Sequence, residues 1–272
     1  MAFLEADAKR QLLKGSINNL VDRAQTVGRK LLDVILPPKC LNCAGRVDLA
    51  HNICPQCWKE LHFLSDPMCR CCGYPFGADL GVNYITIGDS LCGSCQNMDR
   101  AFDRALSALR YDDDSRRMII GFKHHDRLEY ATYFAKLLKQ AGSRVFADTD
   151  MIIPVPLHKR RLIKRRYNQS ALLSRILAED IGVAHEPELL IRTKNTPPQE
   201  GNLNKRSKNV HGAFKVIGTN REKVKNRTIL LIDDVYTTGA TAENCAKALK
   251  KAGAAKVYVL TILRVIKPRT PI

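Results

Sequence analysis

Residues 229–241 read Ile229-Leu230-Leu231-Ile232-Asp233-Asp234-Val235-Tyr236-Thr237-Thr238-Gly239-Ala240-Thr241. Four branched apolar residues in succession mark a strand buried on both faces, the habit of a parallel sheet. Two acids stand where that strand is expected to end, and hydroxyls with one glycine follow. From Thr241 onward Ala242, Cys245, Ala246 and Leu249 recur at helical spacing, and Gly253 falls after the last turn. Strand, acids, hydroxyl loop and helix in this order set backbone N–H groups and Thr hydroxyls at the positive end of a helix, which suits a phosphate. Adjacent carboxylates at the strand tip accept hydrogen bonds from a vicinal diol. A phosphate and a diol held a few ångströms apart describe a ribose 5-phosphate; the bland alternative is a βα turn with two solvated acids.

The segment resembles the phosphoribosyl pyrophosphate (PRPP) signature of type I phosphoribosyltransferases. The resemblance implies that Asp233 and Asp234 hold the ribose hydroxyls, facing the sugar rather than the core. It also implies that Val235, Tyr236, Thr237, Thr238, Gly239, Ala240 and Thr241 form the loop around the 5-phosphate. Tyr236, between acids and hydroxyls, reads as a packing residue rather than an acid catalyst.

The chain has 272 residues, enough for one α/β domain and a smaller unit. Its formal net charge of +17 favours anionic partners, whether nucleotide, nucleic acid or membrane surface. No apolar stretch is long enough for a membrane span, and the first residues lack the apolar core of a secretory signal, so a cytoplasmic location is expected.

Nine of the ten cysteines lie between positions 40 and 95. Four Cys-x-x-Cys pairs account for eight of them: Cys40/Cys43, Cys54/Cys57, Cys69/Cys72 and Cys92/Cys95. Each pair offers two thiolates, and two pairs complete a tetrahedral structural zinc site. Sequential pairing predicts a double ribbon, 40/43 with 54/57 and 69/72 with 92/95. The ten-residue gap of the first site suits a short hairpin, whereas the second has a nineteen-residue gap and an extra thiol, Cys71. His51 reads as a solvated loop residue.

Three domains are expected: an amphipathic helix over 1–36, with Ile17, Leu20, Val21, Ala24, Val27, Leu31, Leu32 and Ile35 on one face; the ribbons over 37–98; and an α/β domain over 99–272. Within the last, strands are expected near 105–111, 151–155, 188–192, 228–233 and 256–264, and helices near 114–124, 128–142, 167–181 and 240–252. The alternation predicts a doubly wound, mainly parallel sheet with its ligand site beyond the carboxyl ends of the strands.

The strand Met151–Val155 leads into a run with six cations in eight residues, 159 to 166. A solvated charge run and a groove for a nucleic-acid backbone are both open readings. The polar stretch 193–214 is long enough for a lid.

Taken in order, the cysteine pairs, Pro154-Val155-Pro156-Leu157-His158, Arg165-Arg166-Tyr167-Asn168-Gln169, the spacing of Arg192, Thr196, Gln199, Arg206, Asn209 and Phe214, and the PRPP signature resemble the ComF family, which includes GntX-type DNA-utilisation proteins. The resemblance covers about residues 31–265. It implies a pyrophosphate loop with Lys159, Arg160 and Arg165, and a hood over 193–214 with Gln199, Arg206 and Asn209. It further implies Mg²⁺ bound together with PRPP, and a role in natural transformation or use of incoming DNA. Single-stranded DNA and a competence helicase are the implied partners. Where the family has glycine this chain has Arg166, which removes easy access to positive φ. No residue stands out as a general base. Two further readings stay open: a nucleotide-salvage phosphoribosyltransferase, and a non-catalytic DNA- or partner-binding module on this fold.

Overall fold

The computed structural model describes residues 36–76, 90–124, 129–165, 167–194 and 212–266. The expected N-terminal helix, Arg166, and the hood residues Thr196, Gln199, Arg206 and Asn209 lie outside the described residues. The chain divides into two compact units, Met1–Cys54 and Pro55–Ile272. In the first, Lys39 and Arg46 form an antiparallel bridge, and the Cys40 amide donates to the Gly45 carbonyl at 2.7 Å. This closes the tight turn that a Cys-x-x-Cys knuckle needs.

The second unit begins with the short helices α1 (Pro55–Glu60) and α2 (Gly93–Gln96), each carrying a cysteine on its buried side. There follow β1 (Arg104–Arg110), α3 (Asp113–His124), α4 (Glu129–Ala141), α5 (Ser143–Phe146), β2 (Met151–Pro154), α6 (Lys159–Arg165), α7 (Gln169–Ile181), β3 (Ala184–His185), β4 (Leu190–Arg192), β5 (Phe214–Val216), α8 (Arg221–Val224), β6 (Thr228–Tyr236), α9 (Ala240–Lys251) and β7 (Lys256–Arg264). Five strands form a parallel sheet in the order β1-β7-β6-β2-β3. Its two central strands, β6 and β7, are apolar on both faces, because helices cover both sides of a parallel sheet.

Side chains alternate across the sheet. Ile153, Ile229, Leu231, Val257 and Val259 share one core cluster with Ala242, Cys245, Ala246 and Leu249 of α9. Helices α4 and α7 pack against each other and against the strands. The start of α7 is set by Asn168, whose side chain accepts from the Ser170 amide, and its end by Gly182 in the left-handed region. Among the described residues no helix is long and apolar enough to cross a membrane.

Two expectations differ from the structure. The predicted strand 188–192 is not part of the main sheet: β4 pairs antiparallel with β5 in a separate two-stranded sheet, and the two-residue β3 takes the edge position beside β2. The three residues of β5 sit in a polar context and carry too little periodicity to be read from sequence. The basic run after β2 was expected as a loop, yet Lys159–Arg165 is a helix. Lys, Arg, Leu and Ile without Gly or Pro satisfy helical backbone geometry readily.

Candidate functional site

The sheet does not stop where the acids begin. β6 remains paired with β7 through Asp233↔Thr261, Val235↔Leu263 and Tyr236↔Arg264. On its other side β6 loses β2 after Pro154↔Ile232. Asp233 and Asp234 therefore stand on a strand braced along one edge and open along the other, above the carboxyl end of β2. This is the crevice in which open α/β sheets bind ligands.

Behind the acids, Thr237, Thr238 and Gly239 turn the chain into α9. Gly239 sits at φ 79°, and a Cβ there would collide with the Tyr236 hydroxyl, so glycine is required on both backbone and packing grounds. The Glu243 amide donates to the Gly239 carbonyl at 2.8 Å, beginning the helix. The Ala240 amide donates to the Thr238 hydroxyl at 3.4 Å, and Thr237, Thr238, Ala240 and Thr241 are half-buried.

The acids are not solvated loop groups: both are half-buried. Burial, reinforced by the charge of Asp234, pushes the Asp233 carboxyl up to about 7. The Ser170 hydroxyl donates to Asp233 Oδ1 at 3.3 Å. Asp234 is held by Lys123 Nζ at 2.6 Å. Lys123 is placed by the seam between α3 and the start of α7, where the Tyr167 hydroxyl donates to the Phe122 carbonyl at 2.6 Å. Two carboxylates in a site that penalises their charge favour a nearby cation, and Lys123 supplies one at Asp234. Lys123 and Ser170 were not read from sequence; the serine abuts the Tyr167-Asn168-Gln169 motif, but nothing marks the lysine.

Lys159, Arg160 and Arg165 all lie on α6, which leaves the end of β2 through 155–158. Arg161 is the member of this run whose pKa is lowered, by burial first and then by Arg192 and Arg165. Arg192 stacks on Phe214 with 5.4 Å from its guanidinium carbon to the ring centre. Burial lowers its own pKa, and the nearby Cys245 and Asp233 side chains oppose that shift. Arg161 of α6 thus feels Arg192, and Arg192 feels Asp233.

The cysteines gather into two groups. Within the first unit Cys40, Cys43 and Cys54 bring three sulfurs together, with Cys43 and Cys54 3.7 Å apart. Cys69, Cys72, Cys92 and Cys95 form the second, with all sulfurs within 4.8 Å of one another and Cys72 to Cys92 at 3.6 Å. A tetrahedral Zn–S bond of about 2.3 Å implies sulfur separations of about 3.8 Å, so both groups fit zinc. Backbone amides of Cys54 and Cys92 donate to the sulfurs of Cys40 and Cys69, at 3.2 and 3.3 Å. Cys69 is brought down to about 4, chiefly by its bond with Cys72. Cys95 is pushed up to about 12 by burial and by the neighbouring sulfurs. Four thiolates cannot coexist in so small a space without a cation, which is the role zinc fills. Cys71 stays outside the set and contributes its carbonyl to the Ala105 amide.

The second group is joined to the loop after β6 by Arg264, which sequence reading missed. This guanidinium, buried at the end of β7, donates to the Cys72 carbonyl and, at 3.4 Å, to Cys72 Sγ. It also lies 4.4 Å from the centre of the Tyr236 ring. Tyr236, pushed above its ordinary value by burial, in turn supports Gly239. A hydrophobic strand end ordinarily predicts no arginine, so the sequence carried no signal for this contact.

Residues 31–96 match the family described as "Double zinc ribbon domain", and 170–272 match "Phosphoribosyl transferase domain". Together with the five-stranded parallel sheet, this makes the protein a phosphoribosyltransferase-type α/β domain preceded by a double zinc ribbon. Competence protein F of Haemophilus influenzae is 28% identical over 233 residues, 83% of this chain and 96% of the relative. The DNA utilization protein YhgH of Salmonella typhi is 29% identical over 239 residues, 85% and 99% of the two chains. Competence protein ComFC of Bacillus subtilis is 28% identical over 220 residues, 78% and 84% respectively. The chain is a homologue of these competence and DNA-utilization proteins over most of its length, in agreement with the ComF resemblance of its motifs.

Proposed function

We propose that the protein binds PRPP, or a related ribose 5-phosphate, at Asp233, Asp234 and the loop Val235–Thr241, together with Mg²⁺. It would act in the cytosol in natural transformation or the use of incoming DNA. The observation that carries the reading is the open edge of β6, where the acid pair faces the end of β2 with a phosphate loop directly behind it. The acids would orient the ribose hydroxyls, and Ser170 and Lys123 would hold them in place. Helix N-terminal amides and the Thr hydroxyls would take the 5-phosphate. Lys159, Arg160 and Arg165 would face the pyrophosphate side, where guanidinium groups offer bidentate geometry. Bound Mg²⁺ would neutralise the pyrophosphate as a leaving group. Gln199, Arg206 and Asn209 are proposed for the hood. The names of the relatives and the net charge of +17 support a role with DNA, and single-stranded DNA and a competence helicase are the partners proposed.

Calorimetric titration of PRPP with and without Mg²⁺ tests the site, and a pyrophosphate-release assay with candidate acceptors follows. Mg²⁺-dependent binding with turnover supports a transferase. Binding without turnover supports a non-catalytic module that retains the ligand site. Absence of PRPP binding in zinc-replete protein would overturn the reading.

A further inference from the structure

Helix α9 starts at the phosphate loop, but its far half lines a different space. A groove of about 390 Å³ runs between the outer side of α9 and the β4–β5 sheet. From α9 it takes Asn244, Lys247 and Lys251, a stripe at spacings of three, four and seven residues along one side of the helix. From β5 it takes Lys215 and Phe214, and from the start of α8 it takes Arg221. Lys251 lies about 15 Å along the helix axis from Thr241, at 1.5 Å per residue.

The charges of this groove are unbalanced. Lys247 is paired with Glu243 at 3.1 Å. Among the described residues Lys215, Arg221 and Lys251 have no carboxylate within ion-pair distance, although their neighbours Lys223 and Lys250 do. A lysine at the C-terminal end of a helix is ordinary, because the dipole favours it. That argument accounts for Lys251 alone. Lys215 and Arg221 come from a strand and from another helix, and the fold brings them to the same groove.

Between the cations the groove offers apolar surface from Ala248 and Ala252, both half-buried. It also offers the Asn244 side-chain amide, which donates to the Ala240 carbonyl at 2.8 Å and keeps its oxygen and second N–H for another partner. Several cations, a small apolar patch and one amide match a phosphate, a base ring and a base edge.

We propose that this groove is a second anion site, separate from the acid pair, which takes a nucleotide unit. The phosphate rests on Lys215, Arg221 and Lys251, and the base lies toward Ala248 and Ala252. The same chemistry is presented by a free nucleoside 5′-monophosphate and by one residue of a single strand. The site does not depend on PRPP binding at the other end of α9.

The test uses the full-length, zinc-replete protein and two probes, thymidine 5′-monophosphate and a four-nucleotide oligothymidylate. The oligomer is short enough that the rest of the basic surface contributes little. Binding is measured over a series of salt concentrations in the wild type and in a Lys215→Gln/Arg221→Gln/Lys251→Gln variant. All three side chains are at the surface, and thermal melting confirms that the variant is folded. The variant is expected to bind at least tenfold more weakly, with the log–log salt slope reduced by about 0.7, the share of the one phosphate contact that is lost. A charge-keeping Lys215→Arg/Arg221→Lys/Lys251→Arg variant should retain binding, and PRPP titration should be unchanged in both. A tetranucleotide that binds far more tightly than the mononucleotide makes a single strand the occupant; equal affinities make it a free nucleotide. The site is refuted if the wild type binds neither probe, or if the neutralised variant binds with unaltered affinity and salt slope.

Discussion

Replacing Asp233 with asparagine should stabilise the ligand-free protein while weakening its hold on the ligand. The wild-type carboxyl is raised from 3.8 to about 7, mainly by burial and then by the charge of Asp234. A raised acid favours the protonated form in the folded state. Its cost is therefore absent below about pH 4, grows as pH rises toward 7 and is complete above that. At 1.36 kcal/mol per pH unit the full effect is at most about 4 kcal/mol, part of it shared with Asp234. Asparagine removes the charge and keeps the shape, so Asp233→Asn and wild type should melt together near pH 4.5 and diverge up to pH 8. There the variant should lie higher by roughly 5–10 °C, taking 2–4 °C per kcal/mol for a domain of this size. Asp234→Asn should do the opposite, since Lys123, only 20% exposed and 2.6 Å away, loses its carboxylate. That loss should cost about 1–3 kcal/mol. Both variants should bind PRPP with Mg²⁺ at least tenfold more weakly. Thermal melts over the pH series beside calorimetric titration read all of this. An Asp233→Asn protein that melts in parallel with wild type at every pH would refute the electrostatic reasoning. Intact PRPP affinity in both variants would refute the ligand assignment.

Two more outcomes are expected. Gly239→Ala should lose most PRPP binding, because a Cβ would strike the Tyr236 hydroxyl and φ 79° costs an L-residue about 1–2 kcal/mol; a titration equal to wild type would count against the loop's role. Arg264→Met should release the zinc of the second cysteine group faster to a chromogenic chelator and should weaken PRPP binding as well, since one guanidinium bonds Cys72 and stacks on Tyr236. Zinc release at the wild-type rate would mean that Arg264 is not part of the metal's support.

Local chemistry made much of this legible in the sequence. The run Ile229–Ile232 and the alternation of strands and helices specify a parallel sheet, because only a doubly covered strand tolerates apolar residues on both faces. The eight paired cysteines specify four metal knuckles, because a Cys-x-x-Cys turn places two sulfurs on one ion whatever surrounds it. The acids, the Thr hydroxyls and Gly239 are contiguous, so their order already suggests the ligand. Contacts between distant segments left no such trace. Sequence spacing does not tell that β6 keeps β7 and loses β2 beside Asp233, which makes the acids half-buried rather than solvent-facing. Nor does it tell that β4 leaves the main sheet to pair with β5. Lys123, Ser170 and Arg264 acquire their roles from partners 111, 63 and 192 residues away. Their side chains match many environments equally well, and only packing of the finished sheet selects one, so the tertiary structure alone decided how the site is charged, braced and tied to the metal ribbon.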